Sequence, residues 1–160
     1  NMKNKKILVL LASIIIMLDQ VTKILLKGKN ISIIPNFLDF TYTENQGIAF
    51  GIGANNSIVI ILINIIIISI IIKFLKKRSN QTSNSIIFAL VLILAGGISN
   101  LSDRLLRGYV IDFIDINLLN FPNFNIADIT ITFGTIFLII ILSKSLLMSE
   151  KVKVGEKNEI

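Results

Sequence analysis

Three residue types are missing from this 160-residue sequence: cysteine, histidine and tryptophan. Without cysteine, the chain has no disulfide framework, no thiol nucleophile and no zinc knuckle. Without histidine, it has no Ser-His-Asp triad, no Cys-His pair and no H-E-x-x-H metal site. A catalytic site in this chain must therefore be built from carboxylates, lysine, serine, threonine, tyrosine or backbone groups.

Hydrophobic residues make up 53% of the chain, and the mean hydropathy is +0.79. This length predicts one domain, and this hydropathy favours a membrane protein over a soluble one. Four apolar segments are close to the roughly 20 residues that a bilayer-spanning helix needs. They cover about 7–26, 58–75, 85–101 and 126–147. Because a segment in lipid must satisfy its own backbone, we predict an all-α, four-helix integral membrane domain over residues 1–160.

The first apolar segment follows lysines, as the apolar part of a secretory signal peptide does. No cleavage site with small residues follows it, and Asp19-Gln20-Val21-Thr22-Lys23 stands there instead. The sequence therefore favours a retained membrane helix over a cleaved leader.

The charges are distributed asymmetrically along the chain. Eleven of the 16 Lys and Arg residues lie near the N-terminus, between the second and third segments, or in the C-terminal tail. The positive-inside rule then places both termini and the middle loop in the cytoplasm. Two loops, about 27–57 and 102–125, lie outside, and seven of the ten acidic residues lie in or beside the outer half. The net charge of +6 is thus a topology signal, and no nucleic-acid surface is expected.

The two outer loops have different sequence patterns. In the first, Phe40 and Tyr42 alternate with Thr41 and Thr43, which predicts a small β element over about 31–51. The second mixes aromatic, apolar and polar residues, as a segment in the headgroup region does. We predict an interfacial loop or helix over about 102–125, acting either as a membrane anchor or as a platform for an amphiphilic substrate.

Charged residues at membrane depth are costly and mark candidate functional sites. Asp19 and Lys23 are four residues apart in the first segment and share a helix face. They can form an ion pair that packs the helices, or they can take part in catalysis. Asp103 and Arg107 have the same spacing beyond the third segment, and we favour a structural role for Asp103.

Asp112 and Asp128 are lone carboxylates among apolar neighbours at the outer membrane boundary. Asp128 can instead cap the fourth helix together with Asn125, and Asp112 can be a solvated loop residue. Two carboxylates brought together in a partly dry site do not both ionise, so one keeps a proton. The ionised group can activate water while the protonated one polarises a carbonyl. That chemistry hydrolyses a peptide without histidine, cysteine, metal or cofactor.

Five sequence blocks resemble, in order, those of the bacterial lipoprotein signal peptidases, the signal peptidase II family. They are 19–23, 45–50, 96–104, 108–113 and 124–128. The resemblance implies an aspartyl endopeptidase of the cytoplasmic membrane, with Asp112 and Asp128 as catalytic residues. Its substrate would be a prolipoprotein whose cysteine carries diacylglycerol, cut just before that cysteine. The resemblance also agrees with a β element in the first outer loop.

The same resemblance implies a set of residues that bind substrate or support the site. They are Asp19, Lys23, Asn45, Gly47, Asn100, Arg104, Val110, Asn125 and Ala127. Ser99 stands where the family often has glycine. We expect membrane lipids as neighbours, no cofactor or metal, and a monomer. The alternative is a small proton-relay or transporter subunit, which would have its acids spread along a transmembrane path.

Overall fold

The four apolar segments are helices in the computed structural model, which describes residues 5–47, 57–78, 81–117 and 121–157. We name the elements α1 (Lys5–Leu26), β1 (Asn30–Ile34), β2 (Leu38–Asn45), α2 (Ser57–Arg78), α3 (Asn84–Arg107), β3 (Val110–Ile116) and α4 (Ile126–Lys157). All four helices are long and apolar enough to cross a membrane. The predicted four-helix membrane fold with a small β element is confirmed.

α3 extends six residues beyond the predicted end of the third segment. Apolar residues give way to Ser102, Asp103 and Arg104, but Asp103 is fully buried, so this polar turn faces the protein interior. The helix ends at Gly108, whose φ of 83° forms a left-handed C-cap. Hydropathy alone misplaced this helix end because the buried polar residues serve the bundle and not the lipid.

α3 is the central helix and packs against α1, α2 and α4, whereas α2 packs mainly against α3. Gly96 allows α4 to come close: a Cβ at this position would collide with the backbone oxygen of Ala127 and lie 2.6 Å from Thr130 Oγ1. Further along, a Cβ at Gly134 of α4 would lie 2.9 Å from the backbone oxygen of Ala89 on α3. Small residues here therefore bring the start of α4 against α3.

The strands form an antiparallel sheet in the order β1-β2-β3 at one end of the helix bundle, which we call the sheet end. Asn45 of β2 pairs with Val110 of β3, and the register shifts between Phe40 and Thr43. β3 also bridges to Phe124, just before α4. The sheet thus connects the C-terminal ends of α1 and α3 to the start of α4.

The predicted interfacial loop over 102–125 needs correction. Residues 102–107 continue α3, and Val110–Ile116 form the third strand. Residues 110–113 of this strand are all buried, so its sequence lacks the alternation of apolar and polar residues that marks a surface strand. The sequence pattern therefore did not predict it. Residues 118–120 lie outside the described part, as do 48–51 of the predicted β element.

Candidate active site

Asp112 lies on β3 and is only 2% exposed. Its Oδ1 accepts a hydrogen bond of 2.6 Å from Asn125 Nδ2, and its Oδ2 accepts one of 2.9 Å from Asn45 Nδ2. The predicted alternative of a solvated loop residue is therefore wrong. This carboxylate is held between two amides, one on the neighbouring strand and one at the start of α4.

Asp128 lies in the first turn of α4. Its backbone N–H donates to Asn125 Oδ1 over 2.9 Å, and Asn125 N–H donates back to Asp128 Oδ2 over 3.1 Å. This reciprocal arrangement is a capping box, so the predicted capping role is present. The other oxygen, Oδ1, accepts a 2.7 Å hydrogen bond from Asn100 Nδ2. Capping therefore fixes Asp128 without removing it from the site.

Each of these three asparagines has its amide orientation fixed by a donor to its oxygen. Asn45 Oδ1 accepts from Gly47 N–H at 2.9 Å, and Asn100 Oδ1 accepts from Lys23 Nζ at 2.9 Å. Asn125 Oδ1 accepts from the backbone N–H of Asp128, as described above. Since each oxygen is occupied by a donor, each NH₂ group faces a carboxylate.

The electrostatic environment of Asp112 differs from that of an exposed carboxylate on the same sheet. Burial, followed by the charge of Asp128, raises the pKa of Asp112 to about 6, against the lowering effect of its two amide partners. At Asp39, hydrogen bonds from Asn117 and Ser32 lower the pKa of an exposed carboxylate. Asp112 therefore holds a proton at mildly acidic pH more readily than Asp39 does.

A buried ion cluster lies behind the asparagines. Lys23 Nζ is 2.7 Å from Asp19 Oδ2 and 2.9 Å from Asp103 Oδ2, and all three side chains are fully buried. Asp103 also pairs with Arg107, as its spacing predicted. Asp19 Oδ1 accepts from the backbone N–H of Ala127 at 2.9 Å, at the start of α4. The cluster therefore ties α1 and α3 to the helix that carries Asp128.

Two residues of this cluster were missed as site residues by the sequence reasoning. Ser99 donates to Asp19 Oδ2 over 2.7 Å, and Gln20 Nε2 donates to Asp103 Oδ1 over 2.9 Å. Both residues stand inside the sequence blocks quoted above, which was the available signal. The serine hydroxyl thus adds a donor to a buried carboxylate.

A cavity of about 820 Å³ opens beside the two carboxylates. Asp112, Asp128, Asn100 and Arg104 line its polar part, and apolar side chains of α2 and α4 line most of the remainder. Arg104 donates to the backbone oxygen of Gly47 at 2.8 Å, but its buried Nε has no hydrogen-bond partner among the described residues. The site thus combines two carboxylates, a guanidinium group and a large apolar wall.

The family model described as Signal peptidase (SPase) II matches residues 11–144. A lipoprotein signal peptidase of Chlorobium phaeobacteroides is 41% identical over 146 residues, covering 81% of this chain and 86% of that protein. One from Staphylococcus epidermidis is 42% identical over 149 residues, covering 89% and 92%. The chain belongs to the signal peptidase II family. It is therefore a peptidase, and the predicted family is confirmed.

Two solved structures share the fold of this signal peptidase II family member. A bacterial membrane enzyme determined by the in meso method at 2.3 Å has a TM-score of 0.81 and 35% identity, covering 89% of this chain and 91% of that one. A second, determined at 1.9 Å, has a TM-score of 0.74 and 33% identity, covering 87% and 94%. Four membrane helices with a small sheet are thus common to related enzymes.

All of the sequence-predicted site residues lie at the sheet end of the bundle. Val110 is buried on β3 and lines the cavity, and Ala127 is fully buried between Asn125 and Asp128. Gly47 contributes only backbone groups, its N–H to Asn45 and its oxygen to Arg104. Among the residues that the structure describes, no three acidic side chains converge as a metal-ligand set.

Proposed function

We propose that this protein is an aspartic endopeptidase that removes signal peptides from diacylglyceryl-modified prolipoproteins, cutting just before the lipidated cysteine. Membership of the signal peptidase II family supports the removal of signal peptides from prolipoproteins. The observation that carries the aspartic mechanism is the shared partner of the two carboxylates. Asn125 donates its side-chain amide to Asp112 and its backbone N–H to Asp128, so the two carboxylates stand together at one end of the cavity.

In the proposed reaction, the two carboxyl groups share one proton. The ionised carboxylate takes a proton from a water molecule, whose oxygen attacks the scissile carbonyl carbon. The protonated carboxyl donates its proton to the carbonyl oxygen as the tetrahedral intermediate forms. Collapse of this intermediate breaks the C–N bond, and the leaving amine takes up the proton first removed from water. One hydroxyl of the intermediate returns its proton to the carboxylate that had donated it, which restores the shared proton of the pair. The raised pKa of Asp112 supports one retained proton in the pair.

The cavity suits an amphiphilic substrate. Its wall is made largely of apolar side chains such as Ile63, Ile67 and Phe133, which match a signal segment or acyl chains. α2 packs mainly against α3, so the side between α2 and α4 is open to lateral entry from the lipid. Arg104 lines the same cavity, where its guanidinium can approach a substrate carbonyl oxygen. The bound lipid would hold the scissile bond near the dyad.

The charge distribution supports an orientation for this site. Lys73, Lys76 and Lys77 lie at the end of α2 opposite the sheet. The positive-inside rule places that end, with both chain termini, in the cytoplasm. The sheet end and its carboxylates then face the outer side of the bacterial cytoplasmic membrane, and residues 1–160 act as one membrane domain and as a monomer.

The test uses purified enzyme in liposomes with a diacylglyceryl-modified prolipoprotein. Asp112→Asn and Asp128→Asn should each abolish cleavage while the helix content stays unchanged. Asp115→Asn, three residues further along β3, is the matched control and should retain activity. Cleavage by either dyad variant at near the wild-type rate contradicts the aspartic mechanism, and equal cleavage of unlipidated substrate contradicts the role of the lipid.

A further inference from the structure

Asn64 is a polar residue in an otherwise apolar part of α2. Between residues 58 and 72 this helix contains only Asn64 and Ser69 as polar residues. Asn64 lines the same cavity as Asp112 and Asp128, whereas Ser69 is exposed and lies outside that cavity. Asn64 therefore faces the cavity that contains the two carboxylates, and not only the lipid.

The packing of α2 on α3 shows how far along the helix bundle Asn64 lies. A Cβ at Gly97 would lie 3.7 Å from Ile68 Cγ1, so these two residues are at the same level. Asn64 lies one helical turn, about 6 Å, from Ile68 towards the sheet end. On α3, Asn100 lies about one turn from Gly97 in the same direction. Asn100 donates a hydrogen bond to Asp128. Asn64 is thus level with the dyad, on the opposite helix.

The side chain of Asn64 makes no hydrogen bond within the part of the chain that the structure describes. It is half-buried in a helix that otherwise faces lipid and the apolar cavity. The other asparagines near the dyad are fully engaged, since Asn45, Asn100 and Asn125 each use both their oxygen and their nitrogen. An amide without a partner at membrane depth is costly, so a ligand that pairs with it gains binding energy.

A peptide bond inside a regular helix is shielded from attack, and its oxygen is already hydrogen-bonded. The signal segment must therefore unwind next to the scissile bond, which leaves backbone N–H and C=O groups without partners in an apolar cavity. An asparagine side chain offers one acceptor and an NH₂ donor group, which together match the two faces of a peptide unit. The cavity wall opposite the dyad supplies this group at Asn64.

We propose that Asn64 binds the unwound backbone of the signal segment, on the N-terminal side of the scissile bond. This inference rests on the proposed function, because it takes a membrane-embedded signal segment as the substrate. Asn64 acts by direct contact with the peptide, as a substrate-binding residue. It holds the segment extended between α2 and the carboxylates.

The first experiment compares cleavage of a diacylglyceryl-modified prolipoprotein in liposomes by wild type, Asn64→Leu and the matched polar-to-leucine control Ser69→Leu. Asn64→Leu should lower kcat/KM about tenfold, the value of one hydrogen bond at about 1.4 kcal/mol. Its thermal stability should not fall, because leucine suits a lipid-facing helix. Asn64→Gln keeps the amide and should recover part of the rate. An unchanged kcat/KM, or an equal loss in Ser69→Leu, overturns the inference.

The second experiment replaces single backbone N–H groups upstream of the scissile bond by ester oxygens. One of these substrates should be cut about tenfold more slowly by wild type, with no additional loss in Asn64→Leu. If the ester and Asn64→Leu lower the rate independently at every position, so that their effects multiply, Asn64 does not bind the backbone. If wild type fails to cut the lipidated substrate at all, the proposed function fails and this inference with it. Cleavage by wild type with no change in Asn64→Leu removes the inference alone.

Discussion

Asn125 binds Asp112 through its side-chain amide, with 2.6 Å between Nδ2 and Oδ1. The same residue is the N-cap of α4, since its Oδ1 accepts from Asp128 N–H and its own N–H donates to the Asp128 carboxylate. One side chain therefore both starts the helix that carries one acid and fixes the other acid on β3. Capping of α4 and positioning of the Asp112 carboxylate thus fall to one residue, through different atoms of it.

Asn125→Ser is expected to keep much of the cap but lose the donor to Asp112, because serine is a good N-cap with too short a side chain to reach β3. A hydrogen bond to a charged group contributes about 1.5–3 kcal/mol, so we expect kcat to fall about 10- to 100-fold with a small change in thermal stability. Asn117→Ser removes an amide–carboxylate hydrogen bond of 2.7 Å at the exposed Asp39 and is the control. Equal rates for wild type and Asn125→Ser would contradict the role of this amide.

Lys23→Met is expected to destabilise the protein strongly. It leaves Asp19 and Asp103 buried without their shared cation, and loss of one partner from a buried ion pair costs about 3–5 kcal/mol. We expect the unfolding temperature in detergent to fall by about 10 °C. Lys27→Met, at an exposed position one turn further on, should shift it little. Adding Asp103→Asn to Lys23→Met should recover part of the loss, and a further decrease would contradict the charge argument.

The helices were predictable because hydropathy over about 20 residues is a strong signal in a membrane protein. The end of α3 was not, since Asp103 is polar in sequence but fully buried in the fold. Hydropathy identifies segments that are stable in contact with lipid. It gives no information on polar side chains that pair with each other inside a helix bundle. The same limit applies to β3, where four consecutive buried residues replace the alternation expected of a surface strand.

The residues of the candidate site could be predicted from the sequence, but the contacts between them could not. The sequence suggested capping by Asn125 and Asp128 as an alternative to a role in the site, and the structure contains both arrangements at once. Which donor fixes each amide depends on contacts between distant parts of the chain, such as Lys23 with Asn100. No local pattern encodes these contacts, so the fold was needed to show that Ser99 and Gln20 pair with Asp19 and Asp103.

The raised pKa of Asp112 predicts a titration that depends on Asp128. An infrared band of a protonated carboxyl group should disappear with a midpoint near pH 6, the value to which burial and the Asp128 charge raise this pKa. The proposed reaction needs this proton, so kcat/KM should decrease as the pH rises through the pKa of the free enzyme. The band should be absent in Asp112→Asn.

Replacing the second acid tests the sign of this coupling. Asp128→Asn removes a negative charge that favours the protonated form, so the midpoint of Asp112 should move to lower pH. Asp39→Asn should leave the band unchanged, because hydrogen bonds lower the pKa of that exposed carboxylate. A midpoint that does not respond to Asp128→Asn would show that the two carboxylates do not interact.

Two adjacent glycines of α3 provide a matched pair for testing how closely α4 must approach. A Cβ at Gly96 would collide with the backbone oxygen of Ala127, directly before Asp128, whereas a Cβ at Gly97 would make only ordinary contact with Ile68. Alanine favours a helix over glycine by about 1 kcal/mol, so Gly97→Ala should keep or slightly raise the unfolding temperature. Gly96→Ala should lower it by several degrees.

Gly96→Ala should also reduce kcat about tenfold or more, because α4 can relieve the collision only by moving Asp128 away from Asn100. Since Gly97 also lines the cavity, the two variants are compared by unfolding temperature, and cleavage is measured for Gly96→Ala against wild type. Equal stability of the two variants would mean that α3 and α4 do not require the close approach at Gly96. In that case the position of Asp128 would depend on its cap, on Asn100 and on the hydrogen bond from Ala127 N–H to Asp19.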